Sequence, residues 1–377
     1  MRTSLFIAAL GLLSMAGCAW SEFDDLADTT WVRSTDEPNV GSRNYALAIV
    51  GLTTGTSGGQ LGVVSDDTPD YSTIDYDNDG TDTAGGNDVK LGQHRIAALT
   101  DPPLFVTDGN GKIAIAERST TGGNVAVVFG SATAPAGIEF AALAPDAVTF
   151  VGADVVVAAG DTFYTLQTAM QVPCKSMDST FAVAAMALDS ATSTLWVWSK
   201  SGAFFGIPSS ALTPCNGGML PSAGSTLTTP LMPAAGARVH IVGNFAVLTA
   251  HAPTSRMGQI FVVDLSTVAE SDTLAVEGLR SSAVAVFGTT TYVVIGVPDR
   301  AVGGVVAGQV DLFALDTTAG TLTKTPALSL NDAQAESGQL FGRAVTTMKF
   351  NDKQILVIAA NSEVFAYYKT ALYDALP

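Results

Sequence analysis

The 377-residue sequence predicts an all-β chain built as a β-propeller of seven blades. Three observations carry this expectation. Helical periodicity is nearly absent. Short β-branched runs bounded by Gly, Pro, Asn and Asp recur along the chain. The runs also fall into similar units, at about residues 44–67, 94–132, 147–167, 181–212, 237–268, 281–320 and 342–371, a spacing near 50 residues. The competing architecture, a pair of β-sandwiches, should show one break in composition, and none is evident between residues 94 and 371.

The N-terminus stands apart from this pattern. Arg2 precedes the apolar run Leu5 to Leu13, followed by Ser14-Met-Ala-Gly-Cys18. A basic start, a short apolar stretch and small residues at the cut define a secretory signal, and the run is too short to span a bilayer, which needs about 20 apolar residues. Met15-Ala16-Gly17-Cys18 resembles the bacterial lipobox. That resemblance implies removal of residues 1–17, a diacylglyceryl group on the Cys18 thiol, and, with Ala19 rather than Asp after the cysteine, sorting to the outer membrane of a Gram-negative cell. More than one acyl chain makes such an anchor stable. Residues 18–43 then form a lipidated polar tether, which as a flexible coil spans roughly 25–30 Å, and residues 44–377 form the propeller domain.

Removing residues 1–17 takes one Arg and no acid, so the formal charge moves from -17 to -18. An acidic chain without a run of Lys and Arg argues against nucleic acid or an anionic membrane surface as a partner. With 47% apolar residues the chain buries much surface, and beyond roughly 250–300 residues a single core gives way to domains or repeats.

Within the repeats the plan is an apolar strand, a tight turn, a second strand, a variable loop and a third strand ending in an aromatic or acidic residue. Arg238 to Thr249 followed by Met257 to Asp264 is one clear copy, and Ser282 to Ile295 followed by Gly308 to Asp316 is the next. Gly338-Gln-Leu-Phe341-Gly342, followed by Ile355 to Ala360, resembles the FG-GAP repeat of integrin-α-type propellers. Gly296-Val297-Pro298 stands where that motif has Gly-Ala-Pro, and Ala250-His251-Ala252-Pro253 is a more distant version. The resemblance covers residues 237–368. The calcium loop of that family is missing from these blades, whose turns at Gly243-Asn244, Gly288-Thr289 and Asn351-Asp352-Lys353 are short.

A possible Ca²⁺ loop lies elsewhere. Asp75, Asp77, Asp79 and Asp82 alternate with a glycine turn at Gly80, inside a stretch with eight acids from Asp66 to Asp88 and no basic residue. Ca²⁺ takes six to eight oxygens from such a loop. Thr83 and Gly86 stand where the two familiar loop types close with a carboxylate, so an exposed acidic loop without metal is the other reading. Cys174 and Cys215 each follow a proline at the end of a strand-like segment, and in an exported chain they are the intrachain pair that could form a disulfide; two buried thiols are the alternative.

Other motifs read as structure. Gly55-Thr-Ser57-Gly-Gly59 matches the serine hydrolase pattern, but that turn needs a helix after it, and a second strand follows. Asp108-Gly-Asn-Gly-Lys112 reads as a hairpin turn rather than a phosphate loop. His94, His240 and His251 share no metal spacing; His240 sits inside a strand and reads as packed, and His251 ends one and faces a loop. Trp196 and Trp198 share one face of a strand and read as core. The resulting expectation is a lipid-anchored, non-enzymatic binding or scaffolding module whose loops meet a protein or glycan; a separate reading is a subunit that scaffolds an outer-membrane assembly. The alternative is an exported glycan-active enzyme with acids at the central channel.

Overall fold

A computed structural model describes the strands between residues 48 and 140 and most of residues 145–361, with short gaps, the longest at 176–181, 213–219 and 332–336, and the strand 364–367. Among the described residues the sheets that form blades number seven. Blade 1 comprises Ala48–Thr54, Gly58–Val64, Asp70–Tyr76 and Val89–Gln93, and blade 2 Leu104–Thr107, Lys112–Ser119, Gly122–Phe129 and Ala136–Phe140. Blade 3 runs Ala147–Val151, Asp154–Ala159, Thr162–Gln167 and Met170–Lys175; blade 4 runs Val183–Asp189, Thr194–Ser199, Ala203–Pro208 and Thr226–Thr228. Blade 5 is Arg238–Val242, Phe245–His251, Met257–Asp264 and Ala269–Glu277. In blade 6, Ser281–Phe287, Thr290–Val297 and Gln309–Asp316 are edged by Thr321–Leu322 and Leu328–Leu330, and in blade 7 Ala344–Phe350, Lys353–Ala359 and Val364–Tyr367 pair. Each blade is an antiparallel meander in chain order.

The first strand of every blade touches the first strand of the next, and that of blade 7 touches that of blade 1. The sheets therefore close into a ring, rather than splitting into two sandwiches. A fourth strand, absent from the three-strand unit predicted above, completes blades 1 to 5. In blade 5 this strand, Ala269–Glu277, is mostly exposed and polar, so it carries little of the apolar alternation by which a strand is recognised. Blade 1 also extends to Gln93, so the acidic stretch predicted to follow the first unit supplies its third strand and the connection to its fourth.

The core lies between blades rather than inside one. Met186, Val197 and Phe205 of blade 4 meet Val156, Ala158 and Phe163 of blade 3. Trp196, Trp198 and Phe204 of blade 4 meet Val239, Leu248 and Phe261 of blade 5. Val247 and Val262 meet Val293 and Phe313 across the next gap, and Val294 and Leu312 meet Val345 and Ile358 across the one after. Fully burying one such side chain is worth about 1.5–3 kcal/mol, so each blade is held by the layers on both its faces. Trp196 stacks on Phe204 at 5.3 Å, and Trp198 meets Phe261 edge-on at 6.0 Å. Trp198 Nε1 also donates to Thr229 Oγ1 at 3.1 Å, a buried bond that ties the connection between blades 4 and 5 to the core. Both tryptophans are core, as their spacing predicted.

The residues of the Phe-Gly resemblance form the junction of blades 6 and 7. Phe341 is fully buried, its backbone N–H donates to the Ala307 carbonyl at 2.8 Å, and Gly308 bridges it in parallel. Ser281 Oγ donates to the Gly342 carbonyl at 2.8 Å. A methyl group added to Gly296 would stand 2.0 Å from that same carbonyl oxygen, so glycine there is a condition of backbone contact between the blades. Gly296→Ala should lower stability by about 1–3 kcal/mol or more, as overpacking does. Gly224→Ala, whose added methyl meets nothing within 4 Å, should stay within about 0.5 kcal/mol of wild type. Urea denaturation of the two variants checks this, and equal midpoints would remove the junction's role.

Candidate functional site

A meander with four strands ends on the side where it began, so successive inner strands start on one face of the ring, here termed the upper face. That face carries the connections between blades and the turns joining second to third strands. The lower face carries the turns joining first to second and third to fourth strands. Along the axis runs a cavity of about 740 Å³, lined by the inner strands of blades 2 to 7.

The two faces differ in chemistry. The five arginines between residues 145 and 361, Arg238, Arg256, Arg280, Arg300 and Arg343, all lie on the upper face, at the start of an inner strand or in a second-to-third turn. Two are tied: Arg300 Nη1 donates to the buried Asp311 carboxylate at 2.7 Å, and Arg343 Nη1 to Asn361 Oδ1 at 2.8 Å. Arg280 stands 3.8 Å from Asp299, a loose exposed pair, and Arg256 is exposed. On the lower face, aspartates close turns. Asp264 accepts from Ser266 N and Oγ at 2.8 and 2.7 Å, Asp316 from Thr318 N at 2.8 Å, and Asp189 from Ala191 N at 3.0 Å. The Ser266 hydroxyl holds the Asp264 carboxyl below its ordinary pKa, and the Thr318 N–H does the same for Asp316. Exposed apolar side chains are sorted as well. Among the described residues five large ones are exposed: Met232, Met257, Val305 and Val306 are on the upper face, and Val286 is near the lower.

Arg238 is the arginine that lines the cavity, at the start of the blade 5 inner strand. Its Nη1 donates to the carbonyl of its neighbour Ala237 at 3.1 Å, and burial holds its pKa below the usual arginine value. Two residues on, His240 lines the same wall, its Nε2 2.9 Å from Ser282 Oγ of blade 6, which in turn lies 2.5 Å from Thr249 Oγ1. Burial, and then the Arg238 charge, lower the His240 pKa to about 4. His240 is therefore neutral at pH 7 and a weak base, packed and hydrogen-bonded as its strand position predicted. His251 ends the second strand of blade 5, where burial and then Arg280 hold its pKa low.

Among the described lining residues Asp146 is the one carboxylate, and Lys200 Nζ at 2.6 Å and the Gly160 N–H at 2.8 Å both bind it. A glycosidase pair needs two carboxyl groups about 5–10 Å apart, so the described lining holds half of one. Cys18, His94, Asp77, Asp79, Asp82 and Cys215 lie outside the described residues, and with them the lipid site, the possible calcium loop and the Cys174–Cys215 pair. Asp75 is in the third strand of blade 1, and Cys174 pairs with Phe163 in the outer strand of blade 3. Ser57 and residues 108–111 also lie outside the described residues; the strands on either side of each pair antiparallel, and a strand, Gly58–Val64, follows Ser57 where a hydrolase elbow needs a helix. Sequence reasoning missed the arginines, although Gly236-Ala-Arg238, Gly278-Leu-Arg280 and Gly342-Arg343 repeat a Gly-Arg pattern before three successive inner strands.

Because His240 titrates lower in the fold than at its unperturbed value near 6.5, the unfolded chain binds the extra proton first. Its contribution is constant above pH 6.5 and is lost as pH falls toward 4. Urea midpoints at pH 7.5 and 4.5 should show wild type losing on the order of 2 kcal/mol more than His240→Asn across that interval. Parallel losses would contradict the half-buried, neutral imidazole.

No family model matches the chain, and no curated protein matches it in sequence. Solved structures resemble its fold. The WD40 β-propeller domain of Doa1 aligns over 87% of this chain and 93% of its own length, at 10% identity and a TM-score of 0.53. A chain of the mitotic checkpoint complex aligns over 85% and 90% at 11% identity and 0.55, and the C-terminal WD40 domain of Sif2 over 88% and 97% at 9% and 0.53. At these identities the likeness is one of fold: the chain is a β-propeller.

Proposed function

We propose that this propeller is a non-enzymatic binding or scaffolding module, held at the outer membrane by lipid on Cys18, with its upper face as the contact surface. The observation that carries the reading is the sorting of exposed apolar side chains and arginines onto one face. Arg and Met are enriched at protein interfaces, where Lys, Glu and Asp are depleted. A closed ring supports this use, since it presents loops from several blades on a rigid frame. One structural neighbour belongs, by its name, to a multi-protein complex, which fits a protein partner in general. The lipid anchor rests on the Met15-Ala-Gly-Cys18 resemblance, and the blade type on the Phe341-Gly342 contact with Gly296. Since the first inner strand starts at Ala48 on the upper face, the tether would join the ring there.

The test is cross-linking of the full chain in intact membranes of a Gram-negative host. Wild type should appear in a defined complex, Cys18→Ala should move to the soluble fraction, and the double variant Met232→Glu, Met257→Glu should lose the complex while staying folded. A Cys18→Ala protein that stays with membranes overturns the anchor. A complex indifferent to both methionines overturns the upper face as contact surface.

A further inference from the structure

We propose that Arg238, at the upper mouth of the channel, binds a carboxylate presented by an acidic segment of a protein partner. The inference rests on the upper face being the binding face and adds the chemistry of what it takes. A guanidinium has five N–H donors in a planar fork that matches a carboxylate in two-point contact. Within the described residues Arg238 spends one nitrogen on its neighbour's carbonyl and has no carboxylate within ion-pair distance. The polar groups beside it are already used: His240, Ser282 and Thr249 bond one another, and Asp146 across the cavity is bound to Lys200. Arg238 is half-buried, and a charge partly withdrawn from water without a counter-ion gains by pairing with an anion. Arg238 keeps part of its surface open, and the cavity gives the anion a way in.

The surroundings point to an acidic polypeptide rather than a free anion. Arg256 and Arg280 stand on the same face, in a chain whose net charge is -17. The same face carries Met257 and, on the turn of blade 6, Val305 and Val306, all exposed. A carboxylate ion needs none of these apolar side chains, whereas a peptide with acidic and apolar residues covers both. A nucleic acid has no aliphatic side chains with which to cover Met257, Val305 and Val306.

Fluorescence anisotropy with a labelled ten-residue glutamate peptide, on the detergent-solubilised full chain at low salt, tests this. Wild type should bind it, Arg238→Gln should bind about 10-fold more weakly, and Arg238→Lys should fall between, because an ammonium lacks the fork. Lys324→Gln, which removes a charge bonded to Asp272 at the blade 6 edge, should match wild type. Unchanged melting temperature for Arg238→Gln keeps the comparison one of binding. Equal affinity of wild type and Arg238→Gln overturns the proposal, as does wild type that binds acetate or anionic vesicles but not the peptide. If the cross-linked membrane complex persists unchanged in Arg238→Gln, this inference fails and the binding-module reading stands; if wild type forms no complex, that reading fails first.

Discussion

Everything in this molecule depends on radial closure. Among the described residues the apolar clusters lie between blades, because a single twisted sheet has two faces and in blades 3 to 6 both are apolar. Val197 and Trp196 of one strand in blade 4 point to opposite neighbours, one toward blade 3 and the other toward blade 5. A strand so placed is buried on both sides, as the pattern of the blade 5 second strand shows, with six successive buried residues from Phe245 to Ala250. A blade taken out of the ring would expose two such surfaces, so the contact between blades 7 and 1 stabilises all the others.

Closure also explains how a strongly acidic chain acquires a face rich in arginine. The meander returns each blade to its starting side, so residues some 40 to 60 positions apart in sequence come to one surface. Turns on the lower face are closed by aspartates that accept backbone N–H bonds, a role that suits a short carboxylate and needs no partner. On the upper face the longer arms of Arg280, Arg300 and Arg343 flank close backbone contacts at glycine, most tightly at Gly296 and Gly342. Turn-closing aspartates thus gather below, and arginine with exposed apolar side chains above leaves a surface fitted to contact.

Several of these elements could be read from the sequence for a plain reason: side-chain alternation reports burial. Trp196 and Trp198 as core, His240 as a packed strand residue, and the antiparallel pairing of Ala48–Thr54 with Gly58–Val64 and of Leu104–Thr107 with Lys112–Ser119 all follow from local pattern. The fourth strand of blade 5 did not, because an exposed edge has no apolar face to alternate. Nor did the site. The approach of His240 to Ser282 and, among the described residues, the lack of a carboxylate beside Arg238 are set by which blades adjoin, and one strand's sequence holds no record of its neighbour. The Gly-Arg repeat before the inner strands was visible, but its meaning depends on the direction in which those strands run.

The central claim is that the ring gathers its contact chemistry on the upper face. Hydroxyl-radical footprinting of the full chain with and without the glutamate peptide measures this most directly. Protection should fall on Met232, Met257, Val305 and Val306, with Val286 near the lower face unchanged. Protection centred on Val286 or on the lower turns would contradict the account.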